Sequence, residues 1–435
     1  MEKLLEQARK SARDAEIYNF EQSYDALVYE NSRLKNVYSS MQSGTSLRLI
    51  KDSHIGFAYT RNRENFDQMV QNALASMREG VVADFAFPST KQVKELATYD
   101  QALEKMSCSE LAAECERVIG FLSKLTKAQL DVYLYRQAAK VHIINSAGTD
   151  IAIQSTSYNI GADLSFPGTR AAICGRGDAK GFMPLNGGAM EQLAEIYNAS
   201  TREVTPPGGR MEILFVPEEM YTLIWRLKSA MNGRSVYKKE SPVINKLGQQ
   251  IFDPKFSAYD DPLDDRYTGA RSFDDEGTPC RKLDIVENGC IKNFYYDLNY
   301  AAKMKTSSTG HGYRSAMWSV DPVSTRPAPC LNHFFIKTGD KSFEQLIKTM
   351  RRGIIVFGCL GAHSGNIPNG DFSIGLSPGL YVENGEIRGR VKNTMISGNI
   401  YDLMKNIIDI ENIAHPAYEG VMPAILFESA MVAVQ

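Results

Sequence analysis

The sequence predicts an α+β protein in two parts, and three observations support that fold class. Many short segments alternate apolar and polar residues at period two, whereas helical spacing is confined to a few segments. The paired prolines and glycines of Thr205–Gly209 interrupt both patterns. Helices and groups of strands alternate without repeated strand–helix–strand units, which favours antiparallel pairing. We therefore predict an N-terminal α+β domain of antiparallel strands with helices at residues 1–205. Residues 210–435 are predicted to form a mainly antiparallel sheet or open barrel with few helices.

The elements of the N-terminal part follow from these two periodicities and from turn residues. Leu47 and Leu49 alternate with polar residues, as strands with one buried face do, whereas Met69 and Ala73 are spaced as on one helix face. In chain order we predict a helix from Glu2 to about Asp14, strands near Ile17, Ala26–Tyr29 and Leu34–Tyr38, a turn at Ser43-Gly44 and a hairpin turning at Lys51–His54. A helix at Asn65–Arg78 and a linker or extended segment at Val81–Tyr99 follow. The last predicted elements are a helix from Ser107 or Ser109, strands at Leu130–Leu134, Val141–Ile144, Ile151–Ser155 and Ala171–Gly181, and a helix at Met190–Ala199.

The C-terminal part is mostly strands and glycine-rich loops. Asn-Gly pairs between apolar runs predict hairpins that turn at Asn288-Gly289 and at Asn384-Gly385. A proline followed by two acidic residues predicts the start of a helix, because both residue types favour the first helical turn. The remaining predictions are a strand at Met211–Val216, that helix from Pro217 to about Met231, a helix at Ser342–Met350, an apolar strand at Gly353–Gly358 and a helix near Tyr401–Asp409.

Three consecutive carboxylates, Asp274, Asp275 and Glu276, lead into Gly-Thr-Pro just before the first of these hairpins. Such a cluster is typical of a solvated turn. It is equally compatible with a site that holds an amine, a metal ion or a peptide terminus. Arg271 and Arg281 lie close by in sequence and could neutralise the acids in salt bridges, so the residues alone leave these alternatives open.

This acidic stretch, the hairpin after it and Tyr296-Asp297-Leu298 together resemble the TldD/PmbA family, also called TldD/TldE and often labelled modulator of DNA gyrase. The resemblance is closest to the PmbA (TldE) branch and extends over nearly the whole chain. Several ordered motifs are far more specific than any one alone. Further motifs that fit the family in the same order are Ser308–Gly312, Gly370–Ser373, Tyr381–Ile387 and Ile396–Ile400.

The resemblance draws attention to the helix predicted at Pro217–Met231. In the TldD branch the matching helix resembles that of a zinc peptidase, with a His-Glu-x-x-x-His pattern. Histidines about one turn apart share a helix face and can bind one Zn²⁺, while the glutamate acts as base toward metal-bound water. Aligned through the glycine at the helix end, this chain has Ile224 and Ser229 at the ligand positions and Trp225 at the glutamate position. Arg226 and Lys228 on the same helix would repel a cation. We therefore expect no metal in this chain.

The resemblance implies a PmbA/TldE-type subunit of a cytoplasmic metallopeptidase that acts on unfolded or small peptides. A TldD-type partner in a heterodimer would carry the zinc, and this chain would shape the cavity and bind the peptide by strand pairing at a sheet edge. The implied substrate-binding residues are Asp274, Asp275, Glu276 and His311. The alternative is a non-enzymatic binding or regulatory homodimer. A third hypothesis, an active peptidase with an unusual metal site at His311 or His415, is less well supported.

Other signals in the chain are weaker. No Gly-x-Ser-x-Gly elbow or phosphate loop occurs, and the sequence around Cys359 is more typical of a buried thiol than of a nucleophile. A net charge of −2 gives no electrostatic support for direct binding to nucleic acid. No long apolar run or signal-peptide pattern occurs, and the seven scattered cysteines fit reduced thiols. We accordingly expect a cytoplasmic protein with no membrane span.

Overall fold

The computed structural model of the chain describes residues 1–62, 65–315, 321–418 and 420–434, in which helices pack against mainly antiparallel sheets. The α-helices are Glu2–Arg9 (α1), Phe66–Ser76 (α2), Gln101–Lys105 (α3), Cys108–Leu125 (α4), Gly187–Ala199 (α5), Tyr221–Met231 (α6), Gly233–Tyr237 (α7), Leu298–Lys303 (α8), Phe343–Thr349 (α9) and Ile400–Leu403 (α10). Single 3-10 turns occupy Met77–Glu79 and Pro217–Glu219. The predicted helix starts at Ser107 and Ser342 are confirmed, because both serines form capping boxes.

A six-stranded antiparallel sheet forms the N-terminal part. Its strands are Asp14–Glu30 (β1), Arg33–Lys51 (β2), His54–Thr60 (β3), Gln129–Asn145 (β4), Asp150–Ser165 (β5) and Ala172–Ala179 (β6). They lie in the order β3-β2-β1-β4-β5-β6, and every neighbouring pair is antiparallel. The short segments that the sequence predicts separately are therefore parts of a few long strands.

The turn predicted at Ser43-Gly44 is wrong, because both residues lie inside β2. Packing explains why a glycine occupies this position of the strand, since a Cβ at Gly44 would lie 2.8 Å from the Val323 side chain. The chain turns instead at Asn31-Ser32, where both residues have positive φ (50° and 62°), as a two-residue hairpin of the favoured twist requires. The helix predicted from Glu2 to about Asp14 ends earlier, at Arg9.

The C-terminal part contains a curled ten-stranded sheet, a second six-stranded sheet and a two-stranded ribbon. Its strands are Glu203–Val204 (β7), Gly209–Phe215 (β8), Ala258–Asp260 (β9), Leu283–Glu287 (β10), Cys290–Ile291 (β11), Gly312–Tyr313 (β12), Ala328–Pro329 (β13), Phe334–Ile336 (β14), Arg352–Val356 (β15), Cys359–Leu360 (β16), Asp371–Leu376 (β17), Gly379–Glu383 (β18), Glu386–Val391 (β19), Thr394–Asn399 (β20), Ile407–Ile410 (β21), His415–Ala417 (β22), Gly420–Met422 (β23) and Ile425–Val434 (β24). The predicted α+β class, with antiparallel strands first and a curled sheet after, is confirmed.

The two Asn-Gly hairpins form as predicted, with Asn288, Gly289, Asn384 and Gly385 all at positive φ. The helix predicted at Tyr401–Asp409 is wrong over most of its length. Only α10 is helical there, and the chain then continues as β21 against β24. Pairing with a long buried strand outweighs the local helical spacing at this position.

The two parts share apolar packing. Leu134 and Ile160 of the N-terminal sheet belong to one buried core with Leu214 and Leu426 of the ten-stranded sheet. A smaller cluster packs Phe273 against buried residues of β1, β4 and β5. This packing holds the acidic stretch against the face of the N-terminal sheet. No helix of the described residues has the length and apolarity to cross a membrane.

Candidate functional site

A cavity of about 870 Å³ lies between one face of the N-terminal sheet and loops of the C-terminal part. The face is built by period-two alternation, which places every second side chain of a strand on the same side. The strand residues of the N-terminal sheet in the cavity wall are Tyr18, Phe20, Gln22 and Tyr24 of β1, Tyr38, Ser40 and Gln42 of β2, Gln137, Ala139 and Val141 of β4, Ile153, Ser155, Thr156 and Ser157 of β5, and Asp178 of β6. The wall is therefore rich in phenol, amide and hydroxyl groups, which bind neutral polar ligands such as peptide backbones.

The opposite wall comes from the C-terminal part and carries charged groups. It includes the loop at residues 268–271, together with Asp275, Tyr313 and Arg314. The guanidinium of Arg271 lies 5.5 Å from the ring centre of Tyr313, and that of Arg314 lies 4.2 Å from the ring centre of Tyr18. Burial and the charge of Asp275 raise the pKa of Tyr18, so this phenol stays neutral at physiological pH.

A buried ionic network joins the two walls at Arg48. Nε and Nη2 of Arg48 donate to the two carboxylate oxygens of Glu16, each at 2.8 Å, and Nη1 donates to Oε1 of Glu276, also at 2.8 Å. All three side chains are almost completely buried. Glu16 and Arg48 are directly opposite each other on β1 and β2, on the same face that lines the cavity. One guanidinium thus connects the N-terminal sheet to the acidic stretch.

The other two acids of the stretch are also held by internal donors. Asp274 accepts hydrogen bonds from the backbone N–H groups of Glu276, Thr278 and Gly312. Its burial, with the nearby charge of Glu276, raises its pKa well above the ordinary value. Asp275 pairs with Arg271 at 2.7 Å and accepts from the backbone N–H of Arg314. Of the three, Asp275 is the one that lines the cavity.

Asp297 extends this acidic group. It caps α8 by accepting from the backbone N–H of Tyr300 at 2.7 Å. Burial and the charge of Glu276 raise its pKa to about 8. The raised pKa of Glu276 has the same main cause, burial, and Arg48 offsets part of it. Asp274, Glu276 and Asp297 therefore form an interior cluster of carboxyl groups whose pKa values are raised by burial.

His311 is fully buried next to this cluster. Its Nε2 lies 3.2 Å from Oδ2 of Asp260, and its Nδ1 lies 2.9 Å from the carbonyl oxygen of Thr309. His415, by contrast, is partly exposed and pairs with Glu411 at 3.1 Å. The structure brings Asp274, Asp275, Glu276 and His311 together in one region, and their predicted role in substrate binding stays a prediction.

The helix that the resemblance aligns with the zinc-binding helix of the TldD branch is α6, and its side chains do not fit a zinc ion. The Arg226 guanidinium is buried and donates to the carbonyl oxygens of Thr222, Ala362, Ser364 and Asp371. Lys228 donates to a carbonyl oxygen and lies over an aromatic ring. Within the described residues, no group of three or more His, Cys, Asp or Glu side chains is arranged to hold a metal ion. Two buried cations and no ligand histidine make α6 unsuitable for Zn²⁺.

Sequence reasoning finds the acidic stretch and His311 but misses Glu16, Arg48 and Arg314. The partners in the network are far apart in the chain, 228 residues for Arg48 and Glu276. A signal for the first two was present: each is a charged residue between apolar neighbours in a strand. Period-two alternation of tyrosine and glutamine in β1 and β2 was a second signal, for a polar wall.

The comparisons with known proteins define the class. Residues 208–434 match the model of the PmbA/TldA metallopeptidase C-terminal domain, and residues 15–76 match that of PmbA/TldA metallopeptidase domain 1. The chain therefore belongs to the PmbA/TldD metallopeptidase family, as the resemblance predicted.

Relatives align with all or part of the chain. The chain is 24% identical over 439 aligned positions to an uncharacterised protein of Methanocaldococcus jannaschii, covering 99% of each chain. It is 30% identical to the metalloprotease PmbA of Escherichia coli O157:H7, over 46% of this chain and 40% of that one.

Solved structures show the same fold. TldE from Thermococcus kodakarensis is similar over 100% of this chain and 99% of that one, with a TM-score of 0.90 and 22% identity. A Thermotoga maritima protein that carries the name modulator of a DNA gyrase is similar over 99% of both chains, with a TM-score of 0.85 and 26% identity.

Proposed function

We propose that this chain is the PmbA/TldE-type subunit of a cytoplasmic metallopeptidase that cuts unfolded or small peptides. In this proposal a TldD-type partner holds the zinc ion and performs the hydrolysis. This chain binds the peptide and shapes the cavity in which it is presented. The observation that supports this division of labour is α6, where Arg226 and Lys228 occupy a helix that would otherwise carry metal ligands.

The edge of the N-terminal sheet is suited to binding an extended peptide. β3 covers β2 only at Thr45–Lys51, so within the described residues the preceding half of β2 pairs with β1 alone. An edge of this kind presents unpaired backbone groups that can add a further strand. Tyr38, Ser40 and Gln42 on this half also line the cavity. A peptide paired along β2 would therefore have one row of side chains directed to the cavity.

The test is partner-dependent cleavage. The TldD-type chain of the same genome, this chain and their mixture are each incubated with casein, with and without a zinc chelator. The proposal predicts that this chain alone is inactive and that the mixture gains chelator-sensitive cleavage beyond the partner alone. Two variants sharpen the result. Met41→Pro removes a backbone N–H from the open edge of β2, because the odd-numbered residues of this half of the strand face away from β1. Ser155→Pro is a control in strand β5 that tests general disruption.

Cleavage by this chain alone would contradict the proposal. If the mixture gains nothing and the chain self-associates without activity, the non-enzymatic homodimer is the better description. Folding of both variants is checked by circular dichroism. Loss of the gain in Met41→Pro while its fold is retained supports peptide capture at β2.

A further inference from the structure

Arg314 is a buried cation in the cavity wall whose hydrogen-bonding capacity is incompletely used. It is only 5% exposed, and its Nη1 donates to the carbonyl oxygen of Thr325 at 2.9 Å. Its Nε and Nη2 have no hydrogen-bond partner in the described part of the chain. The nearest carboxylate oxygen is Oε1 of Glu16, 3.7 Å from Nη2 and beyond hydrogen-bonding distance. A buried N–H group without a hydrogen-bond acceptor is costly. These two donors therefore indicate a binding place for a group that accepts hydrogen bonds.

The carboxylates around Arg314 already have closer cationic partners. Both oxygens of Glu16 accept from Arg48, and Asp275 pairs with Arg271. Burial, together with the nearby charge of Arg48, lowers the pKa of Arg314, the direction expected for a cation that its surroundings do not compensate. Of the three arginines in this region, Arg314 is thus the one without a carboxylate of its own.

We infer that Arg314, with Arg271 beside it in the cavity wall, forms a subsite for a carboxylate of the bound peptide. A planar guanidinium with two available N–H groups matches a carboxylate, which accepts two parallel hydrogen bonds. The tyrosine and glutamine side chains of the same cavity suit the rest of a peptide better than a small inorganic anion. The carboxylate comes either from the peptide C-terminus or from an Asp or Glu side chain. This inference rests on the proposed peptide binding and specifies the substrate class.

The direct test uses the wild-type chain and three fluorescein-labelled hexapeptides of alanine, tyrosine and glutamine. The first has a free C-terminal carboxylate, the second a C-terminal amide, and the third is the amide with one alanine replaced by glutamate. Binding is measured by fluorescence anisotropy. We expect the free acid to bind about tenfold or more tightly than the amide, since a charge-assisted bidentate pair is lost. Recovery by the third peptide would identify a side-chain carboxylate as sufficient, whereas no recovery would assign the subsite to the C-terminus.

Equal binding of all three peptides would overturn the carboxylate subsite while leaving peptide binding intact. No binding of any peptide would overturn both the subsite and the peptide-binding role on which it rests. The variant Arg314→Lys keeps the charge and removes the bidentate geometry, so we expect it to reduce the preference for the free acid. The matched control is Arg61→Lys, an arginine that pairs with Asp321 and is not among the residues lining this cavity. An unchanged preference in a folded Arg314→Lys variant would contradict the assignment. The peptide comparison on wild-type protein decides the matter if that variant does not fold.

Discussion

Replacing Arg48 by methionine tests whether the acidic stretch is held in place by the buried network. The substitution keeps most of the apolar volume of the side chain and removes its charge. It leaves two buried carboxylates, Glu16 and Glu276, without their shared cation. Both are less than 2% exposed, so water does not replace the lost partner.

The magnitude follows from the geometry of the network. Arg48 makes three charge-assisted hydrogen bonds of 2.8 Å, and removing one partner of a buried ion pair typically costs about 3–5 kcal/mol. We expect a loss of that size in the free energy of unfolding. The loss should shrink as the pH falls, because without Arg48 the folded-state pKa of Glu276 rises further. A carboxyl with a raised folded pKa stabilises at low pH and loses that contribution as the pH rises.

Urea unfolding followed by tryptophan fluorescence measures this change at about pH 5 and about pH 8. The control is Arg13→Met, which removes an exposed arginine paired with Asp14 at 2.6 Å and should cost no more than about 0.5 kcal/mol. A double-mutant cycle with Glu276→Gln isolates the contact between the two parts of the chain. A cost below about 1 kcal/mol for Arg48→Met, or a cost independent of pH, would refute this reasoning.

Three further predictions concern protonation and backbone geometry. Asp297→Asn retains a helix cap but removes a carboxyl group whose pKa in the folded protein is raised to about 8. The melting temperature of the variant relative to wild type should therefore rise between about pH 6 and about pH 9. A constant difference would contradict this prediction. Burial alone would lower the pKa of His415, but Glu411 raises it overall. His415→Gln should therefore lower the melting temperature at about pH 5.5 and not at about pH 9. The loss in the free energy of unfolding should stay under about 1 kcal/mol, because the side chain is partly exposed. Gly289→Ala should destabilise the protein more than Gly248→Ala in urea unfolding. Both glycines have positive φ, which costs alanine about 1–2 kcal/mol, but only at Gly289 would the new Cβ collide with a backbone carbonyl. Equal costs would contradict the packing argument.

Local chemistry explains which parts of the fold the sequence predicts. The Asn-Gly hairpins and the serine-capped helices are specified by residues adjacent to each other in the chain. The hairpin at Asn31-Ser32 was missed because neither residue is glycine, although both adopt positive φ. Gly44 was misinterpreted because the residue that excludes a side chain there, Val323, is remote in sequence.

The candidate site shows the same limit. The family-like motifs locate Asp274, Asp275 and Glu276, but their spacing does not distinguish a solvated turn from an interior cluster. That distinction depends on Arg48, which is contributed by another part of the chain. The absence of zinc ligands from α6 could be predicted, because it depends on residue types alone. The four carbonyl contacts of the Arg226 guanidinium could not, because three of the carbonyl groups come from another part of the chain.

The most direct test of the central claim is the zinc content of this chain. The purified protein is incubated with excess zinc and freed of unbound metal by gel filtration. Its zinc content is then measured by mass spectrometry, for the chain alone and for its mixture with the proposed TldD-type partner. The account predicts no stoichiometric zinc in this chain alone and one zinc per heterodimer in the mixture, assigned to the partner. One tightly bound zinc in this chain alone, lost on His311→Asn or His415→Gln, would contradict it.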